Sequence, residues 1–109
     1  MLVEQRTYTL RAGTVPEYMQ LYEKEGLQVQ RAHLPHLVGY YWSEIGELNQ
    51  VIHMWAYTDL KQRDECRAAL FGDERWRSVV QKLYTFIDRM ENKILVPAPF
   101  SAGLLEGTK

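Results

Sequence analysis

The stretch "HLVGYYWSEIGELNQVIHMWAY", residues 36–57, limits the possible folds more than any other part of the chain. It reads as two strands, 36–45 and 49–57, joined through Gly46-Glu47-Leu48. A short connection that starts with glycine suits an antiparallel hairpin. Successive side chains on a strand point to opposite sides. Neither strand shows the apolar-in, polar-out alternation of a sheet with one wet face. Both faces of this hairpin therefore need cover.

The alternation sorts the second strand into His36, Val38, Tyr40 and Trp42 on one side and Leu37, Gly39, Tyr41 and Ser43 on the other. It sorts the third into Val51, His53, Trp55 and Tyr57 against Ile52, Met54 and Ala56. The small aliphatic set suits close packing against helices, which leaves the set with His53, Trp55 and Tyr57 on the open side. A lone chain does not sustain an exposed patch of that size, because burying each large ring is worth about 2–3 kcal/mol. The expectation is a homodimer formed through the open sheet face, with a cleft between the two sheets.

The flanking segments complete the plan. Leu2 to Leu10 is rich in β-formers and stops at Ala12-Gly13. Thr14 and Glu17 have capping-box spacing, with Pro16 tolerated in the first turn. The helix that follows carries Tyr18, Met19, Leu21, Tyr22 and Val29, is weakened at Gly26, and closes at Pro35. Asp59 and Gln62 open a second helix, which breaks at Phe71-Gly72. Asp73 then caps a further helix with the stripe Trp76, Val79, Val80 and Leu83. A last strand is expected over about 86–96, and "PAPFSAGLLEGTK" reads as an extended arm. The order β-α-β-β-α-β is the split βαβ plan: an α+β, ferredoxin-like domain with a four-stranded antiparallel sheet and helices on one face. The domain is expected over 1–101 and a tail over 102–109.

A chain of 109 residues holds one core. Its 13 basic against 14 acidic residues leave no basic excess for nucleic-acid binding. No apolar run approaches the roughly 18 residues that span a bilayer. The start "MLVEQRTYTL" lacks the pattern of a secretory leader. The single cysteine, Cys66, leaves no internal disulfide and fits a reducing cytoplasm. A cytoplasmic domain is the expectation.

"YTLRAGTVPEY", "LVGYYWSEIGELNQVIHMWAYTDLKQR" and "ILVPAPFS" together resemble the NIPSNAP family over roughly residues 3 to 101. The resemblance implies a ferredoxin-like domain of the dimeric α/β-barrel superfamily. It also implies an unsettled biochemical role, since some animal members are linked to vesicular transport or mitochondrial quality control. The wider superfamily includes small monooxygenases, haem-degrading enzymes and stress-response binders, and a shared fold does not fix function.

Several residues carry candidate chemistry. His53 would face the cleft, where a neutral imidazole acts as a general base or as a hydrogen-bonded core residue. Arg6 shares a strand face with Glu4, Tyr8 and Leu10. A buried guanidinium needs an acceptor, which Glu4 or Glu91 supplies. Arg6 then either forms a structural ion pair or holds an anionic or carbonyl group, with Tyr8 as donor. Tyr40, Trp42 and Trp55 offer flat walls for an aromatic or isoprenoid-like ligand, or pack as plain core. Asn49 reads as a turn residue, and Cys66 has no catalytic partner. His33 and His36 are separated by Pro35, with no second cluster to complete a metal site. No nucleotide or phosphate motif is present, so no metal and no cofactor is expected. Two readings remain: a dimeric protein that binds a hydrophobic or aromatic small molecule, or a small cofactor-independent monooxygenase or isomerase using His53 and Arg6.

Overall fold

The computed structural model describes residues 1–107. The sheet has four strands: β1 (Leu2–Leu10), β2 (Leu37–Trp42), β3 (Gln50–Tyr57) and β4 (Ile87–Leu95). Their order is β2-β3-β1-β4, with every neighbouring pair antiparallel. The helices are α1 (Val15–Leu21), α2 (Leu27–His33), α3 (Leu60–Phe71), α4 (Glu74–Tyr84) and α5 (Pro99–Gly107). This is the expected ferredoxin-like α+β arrangement. Among the described residues no helix is long and apolar enough to cross a membrane.

A π-helical turn, Tyr22–Gly26, joins α1 to α2, closed by the Leu27 amide donating to the Tyr22 carbonyl. This turn packs against α4. A Cβ on Gly26 would lie 3.1 Å from the Tyr22 ring and 3.4 Å from that of Trp76, so glycine permits this approach. Asp59 caps α3 by accepting from the Gln62 amide, and Asp73 caps α4 by accepting from the Arg75 amide. Thr14 does not cap α1 as expected. Its hydroxyl donates instead to the Arg11 carbonyl at 2.7 Å, which tightens the β1–α1 turn.

The hairpin connection is longer than the sequence suggested, because β2 ends at Trp42 and β3 starts at Gln50. Asn49 adopts φ 62°, and its Oδ1 accepts from the Gly13 amide at 3.0 Å. It thus fastens the hairpin to the β1–α1 turn. The arm expected to be extended is helical over Pro99–Gly107; residues 108–109 lie outside the described residues. Phe100 on this helix is 89% exposed.

The face assignment of the hairpin is reversed. Val51, His53, Trp55 and Tyr57 are all buried within the single chain, under the helices. Ile52 and Met54, half-buried, lie on the open side with Gln5 and Thr7. The helical layer supplies large rings of its own, Tyr18, Tyr22 and Trp76, so the two layers are spaced for aromatic contacts and not for small aliphatic ones. A bulge between Leu37 and Gly39 also shifts the register of β2. The uncovered aromatic face that argued for a dimer therefore does not exist.

Candidate functional site

The buried side of β1 carries Leu2, Glu4, Arg6, Tyr8 and Leu10, the first four paired in register with Tyr57, Trp55, His53 and Val51 of β3. Polar residues alternate here with the core. Glu4 is fully buried, and its carboxylate takes hydrogen bonds from three side chains. Arg6 Nη1 donates to Oε2 at 3.0 Å, Arg63 bridges both oxygens at 3.2 and 2.8 Å, and Asn92 Nδ2 reaches Oε2 at 2.9 Å. Burial opposes ionisation of Glu4. Hydrogen bonds from Arg63 and Asn92, with the charges of Arg6 and Arg63, outweigh it and hold the pKa at about 2. Glu4, not Glu91, is the acceptor that Arg6 required.

Next to this cluster lies a chamber between the sheet and the helices, lined by Arg6, Tyr8, Tyr40, His53, Arg67 and Trp76 among others. The space between these side chains reaches about 400 Å³ when counted out to the mouth, but only about 30 Å³ has room for the centre of a water molecule. The smaller figure governs: as it stands the chamber holds a water or two. Phe71, Tyr84 and Met90 form part of its lining and are substantially exposed, so they mark its mouth.

His53 is 1% exposed. The indole N–H of Trp55 donates to His53 Nδ1 at 2.7 Å. Since an indole only donates, Nδ1 is the accepting nitrogen, and the neutral ring carries its proton on Nε2. Burial, followed by the charge of Arg6, lowers the pKa of His53 to about 3, so the ring is neutral at physiological pH. Its Nε2–H has no partner among the described residues. Tyr40 stacks on the imidazole with centroids 4.5 Å apart, and Tyr22 stacks on Tyr40 at 4.6 Å. Tyr40 Oη bonds Tyr18 Oη at 2.9 Å, and Arg6 Nε donates to Tyr8 Oη at 2.9 Å. Burial raises the pKa values of Tyr18 and Tyr40, which keeps both phenols protonated.

The expected site residues are thus divided. Arg6, Tyr8, Tyr40 and His53 come together in the chamber. Trp55 stands behind His53 as its hydrogen-bond donor. Trp42 is 57% exposed and belongs to a separate shallow groove beside α1, with Pro16 and Met19. Sequence reasoning missed Arg67 and Trp76. Arg67 is half-buried, makes no ion pair among the described residues, and lies with its guanidinium carbon 5.5 Å from the centre of the Phe71 ring. Burial and the charge of Arg6 lower its pKa. One signal was available. In "LKQRDECRAALF" the helical spacing Arg63, Arg67, Leu70 forms an inward stripe that is two-thirds arginine.

This architecture defines the class of protein. It is a ferredoxin-like α+β domain, the fold shared with an antibiotic biosynthesis monooxygenase at 12% identity and TM-score 0.63, and with a dimeric ferredoxin-like protein from an uncultured marine organism at 12% identity and TM-score 0.70. Likeness at that distance concerns the fold alone.

Within this class the chain belongs to the NIPSNAP family, whose model it matches over residues 3–102. A NIPSNAP family protein of unknown function from Agrobacterium tumefaciens is 46% identical, with TM-score 0.91 over 93% of this chain and 91% of its own. The NipSnap homolog 2 of Danio rerio is 36% identical over 96 residues, covering 88% of this chain. The chain spans about a third of the length of such curated relatives, 33% in that case.

Proposed function

We propose that this domain binds a small molecule in the chamber between its own sheet and helices. The observation that carries this reading is the unpartnered Nε2–H of His53, fully buried in an aromatic-walled chamber that also holds the unpaired Arg67. A buried donor without an acceptor costs about 1–3 kcal/mol. A domain that only needed a core would place an apolar side chain there. A ligand that brings its own acceptor removes the penalty.

The alternative reading, a cofactor-independent monooxygenase or isomerase with His53 as base and Arg6 as oxyanion holder, finds less support. The free lone pair of His53 is occupied by Trp55, and Arg6 is committed to Glu4 and Tyr8. Binding by donation fits these groups better than proton abstraction.

Native mass spectrometry of freshly purified protein tests the reading, with Val80→Phe as the comparison, since Val80 lines the chamber. Expected is an additional small mass on the parent chain that Val80→Phe loses while it stays folded. Retention of the same mass by the variant would place the ligand elsewhere. Pairing of two copies through the open sheet face is part of the proposal, now resting on Tyr41, Ile52, Met54 and Leu95 as its apolar content. Light scattering with Met54→Glu tests it: a dimer that this change splits supports the pairing, and a monomeric parent removes it.

A further inference from the structure

The polar groups of the chamber are unequal in number: donors exceed acceptors. Among the described residues Arg67 has no carboxylate partner, and the N–H groups of His53 and Trp76 have no hydrogen-bond partner. Tyr8 Oη accepts from Arg6, which leaves its own proton free. Among the described residues no aspartate or glutamate lines the space, and the nearby carboxylate, Glu4, is already saturated by Arg6, Arg63 and Asn92. The acceptors that remain are phenol oxygens and the amide oxygen of Gln30, which already takes the Tyr22 hydroxyl. Arg6 is matched by Glu4, so Arg67 contributes an uncompensated positive charge in low dielectric, where charge-assisted hydrogen bonds are strongest.

We propose that the ligand of this chamber carries an anionic oxygen, a carboxylate or an ionised enol or phenol, seated on Arg67 and the Nε2–H of His53. This rests on the reading of the chamber as a binding site. The rest of the ligand is flat and apolar, because the lining includes the aromatic rings of Tyr22, Tyr40 and Trp76. Entry requires the rim side chains Phe71, Tyr84 and Met90 to swing outward, since the closed chamber admits only water.

The probes are three carboxylates graded in size, acetate, benzoate and 1-naphthoate, each compared with its primary amide. The amides keep the shape and lose the charge. Binding is followed by NMR through the indole N–H signal of Trp76, distinct from those of Trp42 and Trp55. Expected is saturable movement of that signal by at least one carboxylate, about tenfold or more tighter than its amide. Arg67→Met should abolish the preference, and Arg67→Lys should retain part of it. An amide binding as tightly as its carboxylate would overturn the anionic assignment and leave the chamber as a binding site. A preference that survives in Arg67→Met would place the anion elsewhere and equally overturn it. Silence of the Trp76 signal to all six probes would remove both the assignment and the site on which it rests.

Discussion

Two polar constellations share the buried side of this sheet, less than two turns of α3 apart, and they are built on opposite terms. Around Glu4 every strong group has a partner: one carboxylate, two arginines and an asparagine close on one another. Around His53 and Arg67 the donors stand open. A closed network specifies a structure, because each member is needed to satisfy the others. An open one leaves chemistry to be completed from outside. The difference separates the part of the polar interior that maintains the fold from the part available for a ligand.

Breaking the closed network should have the largest effect. Glu4→Gln leaves Arg6 buried without a counter-charge and Arg63 with only the exposed Asp64, which should lower the unfolding free energy by about 3–5 kcal/mol, read by denaturant titration. A loss below about 1 kcal/mol would make the network no more than a surface pair.

Acid comes next. His53 is held neutral, with a folded pKa of about 3 against 6.5 in the unfolded chain. Between these values the unfolded state binds the extra proton, so stability is intact above pH 6.5 and falls as the pH drops through this window. The slope is about 1.4 kcal/mol per pH unit for one proton. From pH 6.5 to 5 the loss should be about 2 kcal/mol, and His53→Gln should flatten that segment of the melting curve. Glu4 acts lower: its depressed pKa means stability lost only as the pH falls from its ordinary 4.5 towards 2. A curve unchanged by His53→Gln would place the acid sensitivity elsewhere.

A smaller effect, about 1 kcal/mol, is expected from Trp55→Phe, which removes the indole donor from His53 Nδ1. Nitrogen-15 shifts of the imidazole should show the Nε2–H form alone in the parent and a mixture in the variant. If one form persists in the variant, Trp55 does not set the tautomer. Arg67→Met should change stability least, within about 0.5 kcal/mol, because no carboxylate is left behind. A large loss there would move Arg67 into the closed network and erase the contrast.

The fold was legible in the sequence because its signals are local. The strand composition of Leu2–Leu10, the Asp59 and Asp73 caps, and the stripe from Trp76 to Leu83 each identify an element without reference to the others. The site was legible only in part. Arg6, Tyr8, Tyr40 and His53 were identified by residue type, but the side of the sheet they face depends on what the opposite layer is made of. Tyr18 and Tyr22 look like an ordinary helical stripe in the sequence, so the gap they span is not visible there. Arg67 escaped because a guanidinium inside an exposed-looking helix has no signature until its neighbours are placed. The helix at Pro99–Gly107 was hidden by its two flanking prolines, which read as extended chain although one of them opens the helix.

The rims of the sheet carry a last consequence. β4 presents Asp88, Arg89, Glu91 and Lys93 along one margin, all exposed, and Pro97 follows shortly after the strand ends. β2, at the other margin, is only six residues long and interrupted by its bulge. A fifth strand from a neighbouring molecule would have to strip water from alternating charges on one side, or match a broken hydrogen-bond ladder on the other. The sheet is thereby protected from growing sideways into fibrils.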